Sequence, residues 1–555
     1  MDRMAVHNRI SCRWRRPDLE LIPAVFALNN SFSPQYQRFR PSARSSTQLR
    51  AVWSQSSASS DLFGLPIEIL ERVLFFLSPD LTSFALVNSD CQYLARPLQF
   101  RCTKVRLFVD DVNTPFRQDH GALECLLLAT QQTGSPLGLA IAPYVRYLQL
   151  HGAGVRCDAN DALDNQGFEV FEVQPSLVSL IPTLTNLEAI SHRMLDEDAL
   201  LLTAPYMLAL MKSSIKHIAL RGILCSPDEV YKLQREANLP WPVETLIIKA
   251  HWAASHGHPD TKVPSILMTS CFKTLRRLTL DSSNAIDLFT ESGNHFPALH
   301  TVHLDPTLGR DPSPTSVIRG HPVLSALHST IACRVESIPT LRRYTCSIRF
   351  GNEDAEILVD NLKRNSQLES FSITADQDIC FQEIYLTILI NTLCQMPKLR
   401  ALSPDGEMSE GFCVEALQSI ASMSMLQNLQ LWGPVSWLEL FQCMQSGCMQ
   451  SLEWLSVGTD IDYGHATDSF SMPYPTPPLP AEASRRIDMY RTLFEAELFA
   501  SVLPALRGCI LGAMPVQITN GRARALMSRN CTEEEVNQLW DHSLTSTPTH
   551  LWHWD

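Results

Sequence analysis

The sequence predicts an α/β repeat protein, in which a small N-terminal three-helix module precedes an irregular solenoid of strand-plus-helix units. Three observations carry this. A short apolar signature recurs from residue 144 onward, amphipathic stretches fill many of the intervals, and a compact, sharply punctuated helical block lies upstream. Residues 1–60 stand apart from all of it. They hold nine Arg, no Lys and three acids, and are read as a disordered basic arm, although an Arg- and Ser-rich start is also the composition of a transit peptide.

The helical block spans residues 61–107. Gly64-Leu65-Pro66 opens it, and Pro suits the first turn of a helix because its missing N–H bonds nothing there. Ile69, Leu70, Val73, Leu74, Phe76 and Leu77 follow at helical spacing. Ser78-Pro79-Asp80 ends that helix and caps the next, whose apolar face is Leu81, Phe84, Ala85 and Leu86. Ser89 and Gln92 have the spacing of a capping box for a third helix through Tyr93, Leu94 and Ala95, ending near Pro97. Three short helices cannot hide so many apolar side chains among themselves, so the block needs either a partner surface or the adjoining core.

The run Leu65-Pro66-Ile67-Glu68-Ile69-Leu70, then Asp80-Leu81, then Phe84-Ala85-Leu86-Val87-Asn88, resembles the F-box, and Ser89 to Ala95 with Phe100 and Val105 resembles its fungal branch. The resemblance implies docking on the Skp-type adaptor of a cullin–RING ubiquitin ligase. The implied adaptor contacts are Leu65, Pro66, Ile69, Leu70, Val73, Leu81, Leu86, Val87 and Leu94. Ser89-Asp90-Cys91 departs from the family, which often places a basic residue and a Trp there.

After a connecting stretch at 108–143, expected to be helical, the signature "apolar, two residues, apolar, one residue, apolar" runs through 144–515. Clear copies are Val145-Leu148-Leu150, Ile215-Ile218-Leu220, Leu275-Leu278-Leu280, Leu299-Val302-Leu304, Leu426-Leu429-Leu431 and Leu452-Leu455-Val457. Weaker ones fall at Leu184-Leu187, Val243-Leu246-Ile248, Leu341-Tyr344-Cys346, Leu368-Phe371-Ile373, Leu399-Leu402 and Leu506. Most steps fit, or lie just beyond, the leucine-rich-repeat period of about 20–29 residues. The last two apolar positions are two apart and share one face of a strand. Return helices are predicted at 228–237, 354–365, 384–396 and 411–423, and a longer amphipathic one at 484–503. Insertions at 251–264 and at the proline-rich 460–480 break the array, and 516–555 is read as a cap or tail.

The strand positions that alternate with the apolar ones form a concave face on which solenoids bind partners. Tyr147, His151, Arg221, Arg277, His303, Gln430, Trp432 and Trp454 are the target-binding candidates, because Trp, Tyr and Arg dominate interface energetics. Gln149, His217, Thr279, Asp281, Thr301, Asp305 and Asn428 share that face.

Enzyme chemistry has no positive signal, since no phosphate-binding glycine loop, nucleophile elbow or H-E-x-x-H motif occurs. No metal site or cofactor is expected. His251, His256 and His258 lack a paired Cys or carboxylate and read as a polar loop, and no C-x-x-C occurs among the 16 Cys. A formal net charge of −13 argues against a nucleic-acid binder, and no apolar run is long enough for a membrane span. Free thiols and the lack of a secretory signal point to the cytoplasm or nucleus. The expected function is the substrate receptor of an SCF-type ubiquitin ligase, holding an unidentified protein target near the ligase and contributing no catalytic residue. The alternative is a repeat scaffold without a link to ubiquitin, its helical block serving as the capping layer.

Overall fold

The computed structural model describes, in the main, residues 84–109, 141–151, 170–193, 199–225, 241–250, 262–282, 296–308, 317–329, 333–348, 352–375, 383–404, 412–431, 435–457, 481–511 and 514–525. The chain is mixed α/β with long runs of parallel strands, and it divides near Ala285 into two compact units.

In the first unit the parallel order is Cys102–Arg106, Tyr147–His151, Ala189–Arg193, His217–Cys225, Thr245–Ala250 and Arg277–Ser282. In the second it is Thr301–Leu308, Ala326–Ser329, Arg343–Ile348, Ser370–Ala375, Ala401–Ser403, Asn428–Leu431, Trp454–Val457 and Gly508–Leu511. The register aligns the signature from strand to strand. Leu148 pairs with Ile190, Ile190 with Ile218, and Ile218 with Leu246, and all are buried. Each buried Leu or Ile contributes about 1.5–3 kcal/mol, and no single strand could bury its row without the next one.

Helices Asn352–Arg364, Glu383–Cys394, Val414–Ala421 and Ala481–Val502 fall where the periodicity predicts them, within a few residues. Other expectations shift. The first described helix, Ser89–Gln99, runs past Pro97, because a proline near a helix end removes only one donor. Cys102–Arg106, inside the range read as the helical module, is the edge strand of the first unit. The connecting stretch holds a short antiparallel pair, Phe108–Val109 with Arg117–Gln118. The second unit ends in a hairpin, Met514–Thr519 and Arg522–Ala525, so the predicted boundary at 516 falls inside a strand. Its turn is Asn520-Gly521, both at positive φ (53° and 73°), the geometry that two-residue hairpins favour.

Two repeats were misread or missed, both because a polar residue takes the third apolar slot. The copy placed at Leu184-Leu187 is Leu187-Ile190-His192, and a further copy, Leu324-Leu327-Ser329, fills the long gap between Leu299 and Leu341. His192 is fully buried and is accommodated by a hydrogen bond between its Nε2 and the buried Tyr206 hydroxyl. Burial keeps Tyr206 protonated, far above its ordinary range. Among the described residues no helix is long and apolar enough to cross a membrane. Buried thiols are held in the unreactive form: burial pushes Cys271 and Cys509 up to about 12 and Cys333 up to about 11.

Candidate protein-binding face

The strand positions opposite the core form transverse rows. The residue just before each strand adds a further transverse row. In the first unit this row reads Arg146, Glu188, Lys216, Glu244, Arg276, and backbone bonds tie each residue to the previous one, as in Glu188 N–H to Arg146 O at 2.8 Å and Lys216 N–H to Glu188 O at 2.8 Å. The signs alternate and pair: Arg146–Glu188 at 3.1 Å, Lys216–Glu244 at 3.2 Å and Arg276–Glu244 at 3.6 Å. The second unit repeats the device with Arg342–Glu369 at 3.3 Å and Glu453–Arg507 at 3.4 Å. Each exposed pair is worth at most about 1 kcal/mol, but each also fixes register.

The next rows are more enclosed than the sequence suggests. Tyr147 and Gln430 are buried, and the Arg101 guanidinium lies 5.6 Å from the Tyr147 ring centre. Arg277 is half-buried. Burial, then the neighbouring Arg276, lowers its guanidinium to about 10 while Glu244 opposes them. His303 is half-buried, its ring 5.7 Å from that of buried His328. Burial, then His303 and Arg343, holds His328 at about 3. Trp454 is half-buried over Gly508. His151 and Arg221 occupy positions in the first unit's strands, whereas Trp432 lies outside the described residues. The strands of the first unit therefore carry Tyr147, His151, Arg221 and Arg277, and those of the second carry His303, Gln430 and Trp454.

Enclosure follows from composition. Short residues such as Ala189, Ser191, Ala219, Ser370, Ser372, Ala401 and Ser403 share the rows with long ones, and all seven are buried. Gly508 is a case in point, since a Cβ there would lie 2.3 Å from the Trp454 ring. Gly508→Ala is expected to displace that ring and cost about 1–3 kcal/mol. The check is a lowered urea midpoint together with a red-shifted tryptophan emission.

Sequence reading missed two features here. Gln149 is buried, and neither its Oε1 nor its Nε2 has a hydrogen-bond partner. Asn361 and Asn365, on the helix Asn352–Arg364 and just past its end, take over backbone groups of the preceding loop. Asn361 accepts from Val335 N–H at 2.8 Å and donates to Cys333 O at 2.8 Å. Asn365 accepts from Ile338 N–H at 2.8 Å. The Asn absent from the strand signature is supplied from the helix, so strand spacing could not reveal it.

Of the nine residues implied as adaptor contacts, two are described. Val87 is a turn residue, 69% exposed. Leu94 is buried with Cys91 and Ala95, and Phe84, Ala85 and Leu98 pack against that cluster. Leu65, Pro66, Ile69, Leu70, Val73, Leu81 and Leu86 lie outside the described residues, as do His251, His256, His258 and the proline-rich 473–480. Among the described residues no group of three His, Cys, Asp or Glu is placed to hold a metal ion.

No protein-family model matches the chain, and no curated protein matches it. Solved structures similar to it include a protein from Bacteroides fragilis, at 11% identity over 56% of this chain and 76% of that one, with a TM-score of 0.25. Another is TLR13 in its complex with ssRNA13, at 12% identity over 70% of this chain and 44% of that one, with a TM-score of 0.28. Neither likeness bears on a partner or an activity.

Proposed function

We propose that the chain is the substrate-receptor subunit of an SCF-type cullin–RING ubiquitin ligase, with a leucine-rich-repeat-like C-terminal region that recruits a protein target. The observation that carries this reading is the ordered motif Leu65-Pro66-x-Glu68-Ile69-Leu70, Asp80-Leu81 and Ala85-Leu86-Val87-Asn88. The exposure of Val87 beside a helix that buries Leu94 is compatible with an apolar docking edge. Such a subunit works by raising the local concentration of target lysines near the charged ubiquitin carrier, with no catalytic residue of its own.

A second reading is favoured by the edge strand. Helix Ser89–Gln99 leads directly into Cys102–Arg106, and Tyr147 N–H bonds Arg101 O at 2.9 Å, as a capping layer of a repeat scaffold unconnected with ubiquitin would. A pull-down with a recombinant Skp-type adaptor separates the two. Wild-type chain is expected to bind, and the double change Leu65→Ala with Pro66→Ala to weaken binding by about 10- to 100-fold, the size of removing two apolar anchors. Failure of the wild type to bind selects the scaffold.

A further inference from the structure

The register of the first unit assembles a row of basic residues that no stretch of its sequence displays. Arg106 stands beside His151, and His151 beside Arg193. Arg193 and Arg221 are the next positions after the pair His192–Leu220, and Arg221 stands beside Lys249. Adjacent strands are about 4.8 Å apart, so the row extends for about 19 Å across five strands. Asp281, one step beyond the pair Ile248–Leu280, ends it. The row has the same parity as Tyr147 and Gln149, opposite to the core residues Leu148 and Leu150.

Like charges side by side in a sheet are destabilising. This unit shows the remedy in the row before the strands, where Arg, Glu, Lys, Glu and Arg alternate and pair. In the basic row the register sets no acidic residue between neighbours from Arg106 to Lys249, in a chain of net charge −13 whose residues 61–555 carry −19. An extra residue, Gly222, opens a β-bulge directly after Arg221, and bulges accompany sites where a ladder is ended or a side chain re-aimed. Two positions before His151 on the same face, the Gln149 amide is buried with its donor and its acceptor both unpartnered.

We propose that this row and the Gln149 amide are the seat of an extended acidic polypeptide segment of the target, whose carboxylates pair with Arg106, Arg193, Arg221 and Lys249. The inference rests on reading this strand face as the target-binding face, and it names the partner's chemistry. A polypeptide is favoured over single-stranded nucleic acid because the adjoining row, Gln149, Ser191, Ala219, Ile247 and Thr279, has no aromatic ring on which a base could stack. A backbone amide also offers the donor and the acceptor that Gln149 lacks.

The test uses the full chain and a labelled oligoglutamate peptide, read by fluorescence anisotropy. Binding is expected at low salt and lost at high salt. Arg193→Glu with Arg221→Glu is expected to weaken it by at least about tenfold, while Lys363→Glu with Arg364→Glu, the same charge change on a helix of the second unit, leaves it unaltered. The reversal relieves like-charge neighbours, so the melting temperature should hold or rise. If it falls, Arg193→Gln with Arg221→Gln replaces it, with the same expected direction. Gln149→Leu is expected to raise the melting temperature and weaken peptide binding together. A rise without weaker binding overturns the role of Gln149. No oligoglutamate binding by wild type, equal loss in the Lys363/Arg364 variant, or oligothymidylate binding as tight as oligoglutamate overturns the proposal. Adaptor pull-down with the row variants keeps the two ideas separate, because the adaptor is expected to bind them fully.

Discussion

Asn361→Ala is expected to lower the stability of the second unit by about 2–5 kcal/mol, because it strips a hydrogen-bond partner from each of two buried backbone groups. The side chain is 1% exposed and its amide satisfies Val335 N–H and Cys333 O together, with Tyr344 Oη 3.4 Å away. Alanine leaves a donor and an acceptor in a dry site, each costing about 1–3 kcal/mol, as well as a void. Urea unfolding at neutral pH should show the midpoint fall with little change in slope. Asn361→Asp sharpens the test. It keeps an acceptor for Val335 but sets a buried carboxylate against the Cys333 carbonyl, so it should destabilise at least as much. A loss below about 0.5 kcal/mol in both variants would mean that water replaces the amide.

Acidification is expected to destabilise the protein steeply between about pH 6.5 and pH 4. His192 and His328, which burial holds at about 4 and about 3, are two of the causes, and His217, held at about 4, adds to them. In the unfolded chain these imidazoles titrate near the ordinary value of about 6.5. Between the folded and unfolded values the unfolded state binds more protons, so stability is complete above about 6.5 and falls as the pH falls. At pH 5 His192 and His328 each account for about 2 kcal/mol, or about 4 kcal/mol for the pair. His192→Phe with Tyr206→Phe removes one proton-binding site and the hydroxyl that serves it. The double variant should show a shallower dependence of urea midpoint on pH over that window. An unchanged slope would place the acid sensitivity elsewhere.

What could be read from the sequence follows from what each side chain does. The Leu-x-Leu phase gave the strands and their core face, because burying a row of Leu and Ile is the main source of stability. The helices Asn352–Arg364 and Glu383–Cys394 were visible for the same reason. Where a hydrogen bond substitutes for a hydrocarbon, the pattern failed. His192 and Ser329 hid two repeats, and Asn361 hid a bridge between helix and loop. The target-binding candidates were legible only as a face. Parity assigned Tyr147 and Gln430 to it, but their burial depends on neighbours from other strands that parity does not count. The basic row was out of reach for a stronger reason: its members lie far apart in sequence, and only the strand register makes them neighbours.

The alternating Arg146, Glu188, Lys216, Glu244 and Arg276 row has an evolutionary corollary. Deleting or copying one unit within it would bring two residues of equal sign together, whereas removing or inserting two restores the sequence of opposites. Length change in this half of the molecule should therefore proceed by doublets, and homologues of different size should differ there by an even number of units.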